Sequence, residues 1–180
     1  MERAANEGMR FDPSGLFVFP HVPEGRYAIR PLLSAGFYIV DIRMGGDSIY
    51  DAGFVVDSRP ADEIEVTMSS KGGTIQGVAR DSLQKAVPSI SVTLVPPLSR
   101  RQNISLFKSA TTGSTGNFVI GNVAPGEYKL FAWEGPIPNG AWLNAEFIAQ
   151  YDARGQSVTV TSGVPAIADL KVIPKGIVRR

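Results

Sequence analysis

Residues 116–130 read GNFVIGNVAPGEYKL, and residues 15–29 read GLFVFPHVPEGRYAI. Gly15, Phe17, Val18, Val22, Gly25 and Tyr27 fall on Gly116, Phe118, Val119, Val123, Gly126 and Tyr128 at a constant offset of 101 residues. An ungapped window this rich in identities is an internal repeat, and a period of about one hundred residues is the size of one small β-sandwich. A second echo, Lys71-Gly72 and Lys175-Gly176, closes two alternating runs at an offset of 104. The chain therefore reads as a tandem array of all-β modules.

The second copy carries a full set of strands. Residues 74–79 alternate, and Ile90, Val92 and Leu94 face one way while Ser91 and Thr93 face the other. Pro96-Pro97 ends that run, because proline cannot donate to a strand ladder. Further strands are expected at 105–111, 117–121, 127–133, 156–161 and 166–173, giving seven short strands and a Greek-key sandwich. Between the last three, Pro136-Ile137-Pro138-Asn139-Gly140 reads as a loop. Trp142, Leu143, Phe147, Ile148 and Tyr151 then recur at helical spacing, with Asn144 as N-cap and Gly155 as the stop. A short amphipathic helix is predicted over 144–154.

The first copy is shorter. Phe11 aligns with Thr112, so the first two strands of the module have no counterpart. Strand-like runs remain at 16–19, 26–32, 37–44, 48–56 and 64–68. The expected division is a partial sandwich over 1–71, a complete one over 72–174, and the start of a further repeat or tail over 175–180. A half-sandwich leaves apolar faces and strand edges uncovered, so the sequence reads as a fragment of a longer protein.

Composition narrows the chemistry. The chain has 180 residues, 43% apolar and 19% charged, enough for a sizeable core. Its 19 glycines and 13 prolines exceed ordinary usage without reaching the level of disordered chains, which points to many turns. Eighteen basic against 17 acidic residues leave a net charge of +1, too balanced for a nucleic-acid or anionic-membrane binder. There is no cysteine, which excludes disulfide scaffolds, thiolate metal sites and cysteine nucleophiles. Met1 to Gly15 holds no apolar signal-like run, and no stretch is long enough to span a bilayer as a helix, so no membrane insertion is expected.

Gly73-Thr74-Ile75-Gln76-Gly77, Gly116-Asn117-Phe118 and Asn122-Val123-Ala124-Pro125-Gly126-Glu127-Tyr128 together resemble the carboxypeptidase regulatory-like domain. The resemblance covers about 72–174 fully and 8–71 in part. It implies a prealbumin-like sandwich of a kind found in tandem in bacterial secreted and cell-surface proteins. The motif residues Gly116, Phe118, Val123, Pro125, Gly126 and Tyr128 are structural in this reading. Gly116 and Gly126 take turns needing positive φ, Phe118 plugs the core, and Tyr128 clasps a corner through its hydroxyl.

Catalytic sets are not legible. The zinc enzyme to which such domains are appended needs two histidines, and this chain has only His21, placed at a turn. Neither a nucleophile elbow nor a phosphate loop occurs, and no cofactor is expected. Asp57, Asp62, Glu63 and Glu65 do not have calcium-loop spacing and read as a solvated face. Adhesin sandwiches of similar fold carry lysine–asparagine crosslinks, but Lys85 and Asn144 lie in polar or loop surroundings unsuited to one. Arg100-Arg101 and Arg179-Arg180 are too short for a nucleic-acid footprint.

The aromatic segment reads as packing against the sheet rim. The alternative is a sugar platform formed by Trp133, Trp142 and Tyr151, by analogy with starch-binding sandwiches. The expectation is a non-enzymatic spacer or interaction module of a larger exported or envelope-associated bacterial protein, its partner a glycan or another domain of the parent chain. The rivals are a carbohydrate-binding module and an accessory domain of a peptidase or outer-membrane receptor.

Overall fold

The computed structural model describes residues 10–11, 14–19, 21–34, 36–58, 62–135, 137 and 140–177, with the backbone alone at 10, 11 and 177. Pro136, Pro138 and Asn139 of the predicted loop, and Arg179-Arg180, lie outside the described residues. The chain divides into two compact units, Met1–Pro31 with Asp41–Val66, and Leu32–Val40 with Thr67–Arg180. Leu32–Val40 goes with the second unit, where the Tyr38 ring lies within 3.4 Å of a Cβ built on Gly72.

In the first unit, β1 (Arg10–Phe11) pairs with β2 (Phe17–Val18), and β3 (Gly25–Tyr27) pairs with β6 (Phe54–Val56), both antiparallel. β4 (Tyr38–Met44), whose part from Asp41 on belongs to this unit, turns into β5 (Asp47–Ser48) through Gly45 and Gly46, both at positive φ, the two-residue hairpin turn that matches strand twist. Asp41 ties that hairpin, accepting from Ser48 Oγ at 2.6 Å, the Ile42 amide at 2.9 Å and Arg43 Nε at 2.9 Å. The runs expected at 26–32 and 48–56 are shorter than predicted. Among the described residues no strand pairs with 28–32, where Pro31 offers no donor, and 49–53 is a turn closed from the Gly53 amide to the Ile49 carbonyl. β7 (Ile64–Ser69) leads out of this unit.

The second unit holds β8 (Gly73–Arg80), β9 (Ser91–Val95), β10 (Lys108–Thr111), β11 (Asn117–Val123), β12 (Gly126–Trp133), β13 (Gln156–Val160), β14 (Pro165–Ile167) and β15 (Leu170–Ile173). One sheet runs β10-β9-β12-β13, antiparallel throughout. The other runs β11-β8-β14, with β14 parallel to β8. β15 pairs in parallel with β8 at Leu170-Lys171 and with β12 at Val172-Ile173, joining the two sheets along one side. Counted as one strand interrupted at Ala168-Asp169, β14 and β15 complete the seven strands of an all-β sandwich. Ile75, Val92, Leu94, Phe118, Ile120 and Leu130 fill the space between the sheets. The third strand starts later than expected, because 104–106 form a 3-10 turn whose Ser105 amide donates to the Asn103 side chain at 3.1 Å. The predicted helix is also shorter, α1 (Ala145–Ala149), with separate 3-10 turns at Ala141–Leu143 and Asp152–Arg154.

Candidate functional site

β12 decides where the aromatic residues go. Its side chains alternate, so Tyr128, Leu130 and Ala132 enter the space between the sheets while Lys129, Phe131 and Trp133 stand on the opposite face. That outer face is covered. Residues 140–155 cross it and bring Ile148, Tyr151, Leu143 and Phe147 down onto Phe131 and Trp133, forming a second apolar cluster. The segment follows a local logic. Asn144 caps α1, its Oδ1 accepting from the amides of Glu146 at 2.8 Å and Phe147 at 3.0 Å. Gly155 lets the chain leave over the Phe131 ring, where a Cβ would sit 2.6 Å from ring carbon Cζ.

Trp133 is 0% exposed. Its ring stacks on Phe131 at 5.6 Å and 18°, and meets Tyr151 edge-on at 5.1 Å and 84°. Its Nε1 donates to Thr93 Oγ1 at 2.9 Å, and Thr93 is likewise 0% exposed. Trp133 and Tyr151 thus have no face open to a sugar ring in this conformation. Trp142 is half-buried, 6.1 Å from Phe107. The rim packing expected for this stripe is, in the structure, a layer over the outer face of a sheet.

A polar latch closes the far end of that layer. Lys129 Nζ donates to both the Asp152 carboxylate and, at 3.1 Å, the Asp152 carbonyl. Arg101 Nη2 donates to Asp152 Oδ1 at 3.2 Å, and its Nε donates to the Pro96 carbonyl at 3.2 Å. The guanidinium side chain is only 7% exposed, whereas Asp152 is 45% exposed. The Lys129 hydrogen bond, then that of Arg101, holds the Asp152 carboxyl below the usual carboxylate range. The sequence reading gave Lys129 and Asp152 no role, took Arg101 only as half of an isolated basic pair, and set Thr93 on the outward face, which the aromatic layer buries completely. Nothing local announces them, since their partners lie 23 to 51 residues away.

Of the motif residues, Gly116 turns the chain into β11, Phe118 lies within it, and Val123, Pro125, Gly126 and Tyr128 form the corner between β11 and β12. Gly116 sits at φ +73, with a would-be Cβ 2.9 Å from that of Ala86, so both conformation and space demand glycine. Phe118 and Val123 are buried, Pro125 is exposed, and Gly126 is at φ +149. The Tyr128 hydroxyl donates to the Ala124 carbonyl at 3.0 Å. In the first unit the Tyr27 hydroxyl donates to the Pro23 carbonyl at 2.8 Å. His21 and Asn122 also match, at φ +58 and +53, as do Gly15 and Gly116 at +88 and +73.

His21, Asp62, Glu63, Glu65 and Lys85 are exposed. Among the described residues no group of three or more His, Cys, Asp or Glu side chains could hold a metal ion. Among them, too, no helix is long and apolar enough to cross a membrane.

No protein-family model matches the chain, and no curated protein matches it. Solved structures do. The TIE protein of Bacillus anthracis gives a TM-score of 0.38 at 12% identity, covering 66% of this chain and 20% of that one. The major pilin SpaD of Corynebacterium diphtheriae gives 0.35 at 11% identity, covering 56% and 29%. The group B streptococcus pilus 2b backbone protein gives 0.35 at 13% identity, covering 84% and 54%. This chain thus spans only part of the length of each. Scores this low carry no argument about fold or role, and the fold stands on the strand pairing.

Proposed function

We propose that this chain is a non-catalytic β-sandwich module, a spacer or interaction unit of a larger exported or cell-envelope bacterial protein, in which residues 1–71 are a partial copy of 72–174. The observation that carries the reading is the repeated clasp. Tyr27 and Tyr128 stand 101 residues apart and each donates to the carbonyl four residues upstream. Serial copies of one corner are what a chain of similar modules requires. Of the candidate sugar-stacking residues, Trp133 and Tyr151 are buried in the outer apolar cluster and Trp142 is half-buried against it, which supports packing over display. The finer resemblance, to the carboxypeptidase regulatory-like domain, is supported by the residues at 73–77 and 116–128.

The test is to express 72–174 and 1–71 separately. The first should melt in a single cooperative transition, since it holds every strand of the sandwich. The second should aggregate or stay unfolded, because Ile39, Ile42 and Tyr50 are its buried large apolar side chains among the described residues. A stable, monomeric 1–71 would overturn the partial-copy reading. Hydrolysis of peptides, esters or glycosides that follows the purified chain and vanishes with one carboxylate substitution would overturn the non-catalytic one.

A further inference from the structure

The first and last strands of the second unit lie side by side and point the same way. Thr74 pairs with Pro165, Ile75 with Ala166 and Gln76 with Ile167; further along, Ala79 pairs with Leu170 and Arg80 with Lys171. The break between β14 and β15 does not loosen the contact. The Ala168 amide donates to the Gln76 carbonyl at 3.0 Å, and Gly77 approaches so closely that a Cβ would fall 1.7 Å from the Ala168 oxygen. β8 and the last strand therefore grip along nearly the whole length of β8. Neither is an edge. β8 has β11 on its other side, and β15 has β12, with the Glu134 amide donating to the Ile173 carbonyl at 2.9 Å beyond the last pair.

Direction follows from this pairing. The chain enters β8 at Gly73 and leaves β15 at Ile173, and in a parallel pair those two points lie at opposite ends. Tension applied along the chain pulls the two strands past each other lengthwise. Every bond between them must then give together. Tension applied at one end of the pair would instead open the bonds one after another. That end is identifiable, because Ser162 Oγ donates to the Lys71 carbonyl at 2.6 Å and Thr161 bridges Val164.

We propose that the second unit is a tension-bearing element whose parallel terminal strands resist pulling along the chain by shear. This deepens the spacer reading and rests on it. A spacer tethered at both ends transmits force through these two strands, and its lifetime is set by the unfolding rate along that direction.

The chain has no cysteine, so two thiols introduced by substitution are unique attachment points. The full chain is pulled in an optical trap through S70C/K175C, which loads the pair in shear, or through S70C/V164C, which loads it from one end. Ser70, Val164 and Lys175 are exposed. Urea unfolding of both variants checks that equilibrium stability is unchanged. At equal loading rate, the mean unfolding force through 70 and 175 should be at least about twofold that through 70 and 164. Equal forces, or a stronger response through 70 and 164, would overturn the proposal while leaving a non-catalytic spacer intact. Turnover or sugar binding by the chain would remove the spacer reading without touching the anisotropy.

Discussion

Replacing Thr93 by valine should destabilise the second unit although the two side chains have nearly the same shape. The Thr93 hydroxyl accepts the Trp133 Nε1–H at 2.9 Å, and both residues are completely buried. Valine leaves that N–H with no partner and no water, at a cost of about 1–3 kcal/mol. The methyl that replaces the hydroxyl returns up to about 0.8 kcal/mol through burial, so with full return the net loss should be about 0.2–2 kcal/mol. Each kcal/mol moves Tm by roughly 4–8 °C in a domain of about one hundred residues. Urea unfolding followed by far-UV circular dichroism measures the change without relying on tryptophan emission. Trp133→Phe supplies the other arm of a cycle, since it orphans the hydroxyl and opens a cavity. The double variant should recover about 1 kcal/mol relative to the sum of the two singles. If Thr93→Val lies within about 0.3 kcal/mol of the parent and the cycle is additive, the bond is not sustaining the outer cluster.

Phe118→Ala and Tyr128→Ala should each cost roughly 3–5 kcal/mol in chemical denaturation, as buried aromatic side chains do, and a change under about 0.5 kcal/mol would place them at the surface. Tyr128→Phe should cost about 0.5–1.5 kcal/mol and Tyr27→Phe less, because the Tyr27 bond is solvent-exposed. Asp152, held below the usual carboxylate range by Lys129 and Arg101, adds stability that is present above its unfolded pKa and is lost as pH falls through its folded value. Asp152→Asn should therefore lower the urea midpoint near neutral pH, with the difference from the parent disappearing in strong acid; a pH-independent difference would refute the charge-based latch. Trp142→Ala should lower Tm through lost packing and leave a glycan panel blank, whereas saccharide binding abolished at unchanged Tm would make Trp142 a sugar platform.

Local signals were legible in the sequence because their causes are local. The alternation at 90–95 marks a strand, though Thr93 and Val95 on its other face are buried as well; Pro96-Pro97 ends it, and Asn144 caps a helix through amides two and three residues on. The repeat located the motif at 116–128, where the positive φ of Gly116 and Gly126 and the Tyr128–Ala124 clasp are set by neighbouring residues, although the close approach of Ala86 to Gly116 is not. Phe131-Ala132-Trp133 was ambiguous for the opposite reason. An unbroken apolar run gives no sign of which side chains enter the sandwich and which need a separate cover.

Only the tertiary structure decided that Phe131 and Trp133 lie on the outer face beneath residues 140–155, that Thr93 meets Trp133, and that Arg101 and Lys129 converge on Asp152. It also decided that Leu32–Val40 goes with the second unit and that the first and last strands run parallel. By itself the amino-acid sequence determined strand periodicity, turns, caps and the repeated corner, because propensity and steric demand act over a few residues. Cover, latch and strand order depend on surfaces brought together across 20 to 100 residues, where the fit of faces formed only on folding makes the choice.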